Sequence, residues 1–259
     1  MPGKALAGCT IVVTRPGARA TTLLARLADE GADAVHFPTI SIDPPDVPLS
    51  IDALRPDVNQ CDIVIFISPN AVSYGLPVIG QAGGLSDNAR IAAVGRSTAE
   101  ELARHDKPAD YVPESGASSE ALLDVLAAVD VAGDKILIFR GNGGRELLAE
   151  TLRARGAHVR YIECYRRGLA DTDPDILANL WSGNGIDALI VSSADGLRNL
   201  HTLVKAADHD RLRATPVYVV SPAMVELCGN LGYNTIILMD SPRDDDVLSA
   251  LRKQCRPGQ

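Results

Sequence analysis

Short runs of β-branched and apolar residues alternate along the chain with stretches whose apolar positions recur every third or fourth residue. The runs at 11–14, 34–42, 63–68, 91–94, 111–113, 135–140, 159–166, 188–193, 216–221 and 235–239 have the length and composition of strands. Between them, Leu23, Leu24 and Leu27, and later Leu148 and Leu152, line one face of a 3.6-residue period. Ser-Pro at 68–69, Gly-Arg-Ser-Thr at 95–98 and Ser-Ser-Glu at 118–120 mark helix starts. Gly31, Gly156 and Gly232 mark helix ends. Strands alternating with helices predict an α/β fold with mostly parallel sheets.

A shift of 125 positions repeatedly meets the same residue type. Arg15 meets Arg140, Leu23 Leu148, Leu27 Leu152, Gly31 Gly156 and Ala32 Ala157. Further on, Asp62 meets Asp187, Ile65 Ile190, Ser68 Ser193, Glu101 Glu226 and Leu102 Leu227. One ungapped offset over the whole chain predicts two similar α/β halves. Segments 34–42 and 159–166 are longer than their neighbours and precede breaks at Pro44-Pro45 and Gly168. They could leave one sheet and cross to the other; two contiguous halves joined once fit the sequence equally well.

Composition narrows the class. With 25 basic and 33 acidic residues among 259, the net charge is −8. That excludes a general electrostatic grip on nucleic acid or an anionic membrane, so an acidic ligand must be held by local groups. One region departs from the average: 135–167 carries eight basic residues against three acidic ones. Arg15 and Arg140 end equivalent strands and suit carboxylate pairing, whereas Arg153 and Arg155 read as a solvated helix face. No signal-peptide core opens the chain, and apolar runs such as 63–67 are far too short to span a bilayer. Five widely spaced cysteines, without a Cys-x-x-Cys pair or a His/Cys cluster, predict reduced thiols in a cytoplasmic protein that binds no metal. Nucleotide-binding glycine motifs are missing; 140–145 comes nearest and lacks the Lys-Ser/Thr ending.

An ordered set of motifs then points to a family. It comprises Val13-Thr14-Arg15-Pro16, Phe66 to Val72 around Ser68-Pro69-Asn70, and Ala93 to Ala99 around Gly95-Arg96-Ser97-Thr98. Phe139-Arg140-Gly141 follows with Arg145 to Leu148, then Tyr161 to Arg166, Val191-Ser192-Ser193 and Leu231-Gly232-Tyr233. Taken in order over essentially the full chain, these residues resemble the uroporphyrinogen-III synthase family. The resemblance implies two flavodoxin-like, doubly wound domains joined by a two-stranded linker. Residues 1–38 and 168–259 would form a discontinuous first domain, 44–163 the second, and 39–43 with 164–167 the linker strands. It also implies the reaction: hydroxymethylbilane closes to uroporphyrinogen III in the interdomain cleft, with inversion of ring D, loss of water and no cofactor. A monomer is expected, with at most transient contact with the preceding pathway enzyme and no nucleic-acid or membrane partner.

That substrate carries eight carboxylates. In an α/β fold their best partners are helix N-termini just beyond strands, where free N–H groups and the helix dipole face outward. The candidate binding residues are Thr14, Arg15, Ser68, Pro69, Asn70, Gly95, Ser97, Thr98, Arg140, Gly141, Ser193, Ala194 and Ser221. Any one such turn alone reads first as an ordinary cap worth about 1 kcal/mol; it is their number that suggests a site. Tyr165 matches the tyrosine the family places at the end of the second linker strand, facing the cleft. Its implied catalytic role is to help the ring A hydroxyl leave, giving an azafulvene cation that ring D attacks at its substituted carbon. Taken alone, a tyrosine in a strand reads equally well as packing. Ala223, which the 125-residue shift pairs with Thr98, carries no such role, and the five histidines are expected to be structural or exposed, without a pair. The competing classes are a two-domain protein that binds a small acidic ligand without catalysis, and a nucleotide-dependent enzyme.

Overall fold

The computed structural model describes residues 4–255. Contacts divide this chain at two points, Ser41/Ile42 and Arg167/Gly168. One unit takes the chain up to Ser41 and from Gly168 onward; the other is continuous from Ile42 to Arg167.

The first unit opens with β1 (Thr10–Val13), α1 (Ala18–Asp29) and β2 (Asp33–His36), and β3 (Ile40–Asp43) leads out of it. The second unit continues with α2 (Ile51–Gln60), β4 (Ile63–Phe66), α3 (Pro69–Gln81), β5 (Arg90–Ala93) and α4 (Arg96–Arg104). It closes with α5 (Ser119–Leu126), β6 (Lys135–Gly141), α6 (Leu147–Ala154) and β7 (His158–Leu169). The first unit then resumes with α7 (Asp175–Ser182), β8 (Ala188–Ile190), α8 (Ala194–Leu203) and α9 (His209–Ala214). It ends with β9 (Val217–Val219), α10 (Pro222–Leu231), β10 (Ile236–Leu238) and α11 (Asp244–Gln254).

Each unit has one five-stranded sheet. The first sheet runs β10-β9-β8-β1-β2 with every pairing parallel. In the second, β3-β7-β6-β4-β5, the pairings of β4 with β5, β4 with β6 and β6 with β7 are parallel. Strands buried on both faces need unbroken apolar runs, and β1 and β4 are buried throughout. Ile11 and Val13 of β1 pack with Leu23 and Leu27 of α1 and Val247 and Leu251 of α11. Val12, on the opposite face, packs with Leu197 and Leu200 of α8 and Met224 of α10. In the second unit Val64 and Phe66 meet α2 and α3, while Ile63 and Ile65 meet α5 and α6.

The 125-residue shift survives as geometry. It carries β1 onto β6, β2 onto β7, β4 onto β8 and β5 towards β9, so β9-β8-β1-β2 and β5-β4-β6-β7 are equivalent rows. It even relates hydrogen bonds: the Asp187 carboxylate accepts the Thr10 N–H at 2.7 Å, and Asp62 accepts the Lys135 N–H at 2.8 Å.

Some elements differ from the sequence expectation. Segment 34–42 is two strands, because Pro38 brings no N–H to a ladder and lies in the break between β2 and β3. Segment 111–113 makes only a single bridge, Tyr111 opposite Ala92, with Pro113 just beyond. In 188–193 the strand stops at Ile190, since Ser193 already caps α8.

All five cysteines are buried. Burial pushes the Cys164 thiol up to about 12, and those of Cys61 and Cys228 to about 11. Thiolate is the reactive form. At pH 8 a disulfide dye is therefore expected to label no thiol rapidly in the folded chain and all five after denaturation. A fast-reacting thiol in the native protein would contradict this packing.

Candidate active site

In the first unit the candidate residues gather beyond β1, β8 and β9. Thr14 is buried and closes β1 onto β8: both its N–H (3.1 Å) and its hydroxyl (2.8 Å) donate to the Ile190 carbonyl. Arg15 is anchored on three sides. Its Nη1 pairs with Asp244 at 2.6 Å, Nη2 donates to the Pro242 carbonyl, and Nε donates to Ser192 Oγ at 3.3 Å. Ser193 caps α8 by accepting the Gly196 N–H at 3.0 Å, with Ala194 the first helical residue. Ser221 caps α10 through the Met224 N–H at 3.3 Å.

In the second unit, Ser68 follows β4 and caps α3, accepting the Ala71 N–H at 3.0 Å. Pro69 takes the first helical position, where a missing N–H is harmless, and Asn70 follows half-buried. Tyr165, on β7, is fully buried. Its Oη lies 3.0 Å from Ser68 Oγ and accepts from Arg167 Nη2 at 3.3 Å. Its ring rests on the backbone of Gly141, where an added Cβ would stand 2.6 Å from Cε2. Close approach is what demands glycine there. Beside β5, Gly95 precedes α4 without a side-chain cap, and an added Cβ would stand 2.6 Å from Ala117 Cβ. Ser97 is exposed and Thr98 buried in the first turn of α4.

Arg140 ends β6 and is only 2% exposed. Nη1 holds Glu146 at 2.9 Å, Nη2 donates to the Gly143 carbonyl, and the guanidinium lies 4.3 Å over the Tyr161 ring. Its Nε and the Tyr161 hydroxyl are buried without a hydrogen-bond partner among the described residues. Burial, then the Glu146 charge, pushes the Tyr161 hydroxyl above the ordinary tyrosine value.

Arg15 and Arg140, related by the 125-residue shift, thus each hold a carboxylate of their own chain, Asp244 and Glu146. The structure brings Ser68, Gly141 and Tyr165 into one cluster and leaves Ser97 outside its hydrogen bonds. Sequence reasoning missed Arg167, although Tyr165 and Arg167 lie two apart on a strand and so share a face. It also took Arg155 as solvated; its guanidinium instead donates to the carbonyls of Leu126 (2.9 Å), the last residue of α5, and of Val129 (2.5 Å) beyond it. The histidines do form a pair: the His201 and His209 rings meet edge to face at 5.4 Å, with His209 Nε2 reaching the carbonyls of His201 and Val204 at the end of α8. Among the described residues no group of three or more His, Cys, Asp or Glu side chains could hold a metal ion. Nor is any helix among them long and apolar enough to cross a membrane.

Comparison with known proteins supplies a family. The family model described as uroporphyrinogen-III synthase HemD matches residues 21–249. Uroporphyrinogen-III synthase of Salmonella typhimurium is 35% identical over 249 residues, covering 94% of this chain and all of that one. The Escherichia coli protein of that name is 33% identical over 252 residues, with 94% and 100% covered. Among solved structures, the Helicobacter pylori synthetase aligns with a TM-score of 0.60 at 13% identity, covering 95% of this chain and 100% of that chain. A mutant Thermus thermophilus synthase aligns with a TM-score of 0.58 at 18% identity, covering the same shares. Those two likenesses speak to the α/β fold, and the curated relatives to the family. This chain belongs to the uroporphyrinogen-III synthase family.

Proposed function

We propose that this chain cyclises hydroxymethylbilane to uroporphyrinogen III, a lyase reaction that expels water and inverts ring D. The observation that carries the reading is the match at 35% identity over nearly the whole of both chains. Its site supports it chemically. Helix N-termini beyond β4, β5, β8 and β9, at Ser68, Gly95, Ser193 and Ser221, offer N–H donors for acetate and propionate carboxylates. Thr14, Pro69, Asn70, Ser97, Thr98, Gly141 and Ala194 shape those turns, and Arg15 and Arg140 supply charge, each exchanging its internal carboxylate for one of the substrate.

Chemistry then requires little of the protein beyond holding one folded conformer of a flexible bilane, a proximity effect. Tyr165 assists as the ring A carbon–oxygen bond breaks and hydroxide leaves as water. The azafulvene cation is attacked by the substituted carbon of ring D, and the spiro intermediate rearranges to the inverted ring. No cofactor is needed, and the enzyme acts as a cytoplasmic monomer that meets its upstream enzyme only transiently.

The architecture proposed with this function is two flavodoxin-like domains. Supporting it, β2-β1-β8-β9-β10 follows the order 2-1-3-4-5 within its unit, with helices on both faces. The proposed bounds are 1–38 with 168–259 and 44–163, with 39–43 and 164–167 as the linking strands; residues 1–3 and 256–259 lie outside the described residues. The deciding experiment supplies freshly made hydroxymethylbilane and separates the type I and type III products. Type III is expected in excess. Only type I, the product of unassisted closure, would leave a binding protein without catalysis.

A further inference from the structure

The hydroxyl of Tyr165 has no route to a ligand of its own, since the whole residue is buried. Its hydrogen bonds nevertheless have a direction. A guanidinium only donates, so Tyr165 Oη accepts from Arg167 Nη2 at 3.3 Å. A buried O–H must find an acceptor, and the one the structure provides is Ser68 Oγ at 3.0 Å. Ser68 Oγ already accepts the Ala71 N–H at 3.0 Å. With both acceptor positions filled, its own proton is left to point outward from a half-buried site at the start of α3.

We propose that Ser68 Oγ–H is the group that meets the departing hydroxyl, and that Tyr165 is a positioning residue acting through it. This deepens the cyclase reading and rests on it. As the ring A carbon–oxygen bond breaks, its electron pair stays on oxygen and the Ser68 proton converts that oxygen to water. Ser68 regains a proton from Tyr165 Oη, whose negative charge faces Arg167. The proton shed by the ring system when aromaticity returns passes back through Ser68 to restore Tyr165, and the net change is loss of one water.

The test is a double-mutant cycle on the full chain with hydroxymethylbilane, reading kcat and KM separately. Ser68→Ala is expected to lower kcat about 100-fold, the lower bound typical of a lost general acid, with little change in KM. Tyr165→Phe is expected to lower kcat about tenfold in the native background and not at all in the Ser68→Ala background. Type III product is expected to persist throughout. Ser118→Ala removes a cap of the same kind on α5, accepting the Ala121 N–H at 3.2 Å, and should leave kcat unchanged. Equal losses from Tyr165→Phe in both backgrounds would overturn the relay, as would an unaltered kcat in Ser68→Ala. Failure of the unmutated chain to form type III product would instead overturn the cyclase reading itself.

Discussion

Gly141→Ala is expected to lower kcat by at least as much as Tyr165→Phe, although it adds one methyl group and removes no polar atom. The new Cβ would lie 2.6 Å from Tyr165 Cε2 and 2.8 Å from Cζ, distances that real side chains do not adopt. A fully buried aromatic ring cannot swing clear, so ring or strand must shift. Such a shift is expected to disturb the 3.0 Å contact of Oη with Ser68. Overpacking of this kind costs typically about 1–3 kcal/mol. A thermal melt beside initial rates separates the two effects: an unchanged melt with unchanged kcat would mean the ring yields freely and the Ser68–Tyr165 geometry is unimportant.

Arg140→Met is expected to act on binding. Hydrogen bonds to a charged group contribute roughly 1.5–3 kcal/mol, which corresponds to about a 10–150-fold rise in KM if Arg140 holds a substrate carboxylate. Methionine fills similar space, and the Glu146 carboxylate it leaves unpaired is half-exposed and can be solvated, so the stability cost should be modest. The fold should therefore survive, while the 141–146 loop loses its tie through Gly143 and Glu146. A large fall in stability with KM unaltered would show that Arg140 serves only the loop.

Much of this was legible from patterning. β1 and β4 read as strands because both faces are buried, and Gly232 reads as a helix end because its φ of 84° suits glycine. The repeat foretold two similar α/β halves, down to equivalent aspartates at strand starts. What escaped was set by contacts distant in sequence. Pro38 divides a segment whose β propensity is continuous, and nothing local says that its two parts join different sheets. The Ser68–Tyr165 bond links residues 97 apart, and the Arg15–Asp244 pair spans 229. Neither has a signature within a short window. Arg140 was legible as a candidate for carboxylate binding, but its capture by Glu146 was not, because the loop through Gly143 and Gly144, both at positive φ, decides it.

The discontinuity of the first unit also sets an order of assembly during synthesis. β1 and β2 leave the ribosome well before the rest of their unit, and the hydrogen-bond partner of Thr10, Asp187, is made 177 residues later. At about 5–20 residues per second that is a delay of roughly 10–35 s. Over the same interval the continuous unit from Ile42 to Arg167 emerges whole and can fold. The nascent β1-α1-β2 segment meanwhile presents the apolar edge of β1, Ile11 to Val13, to the cell. Strands β1 and β2 are thus made before the continuous unit and reach their place after it.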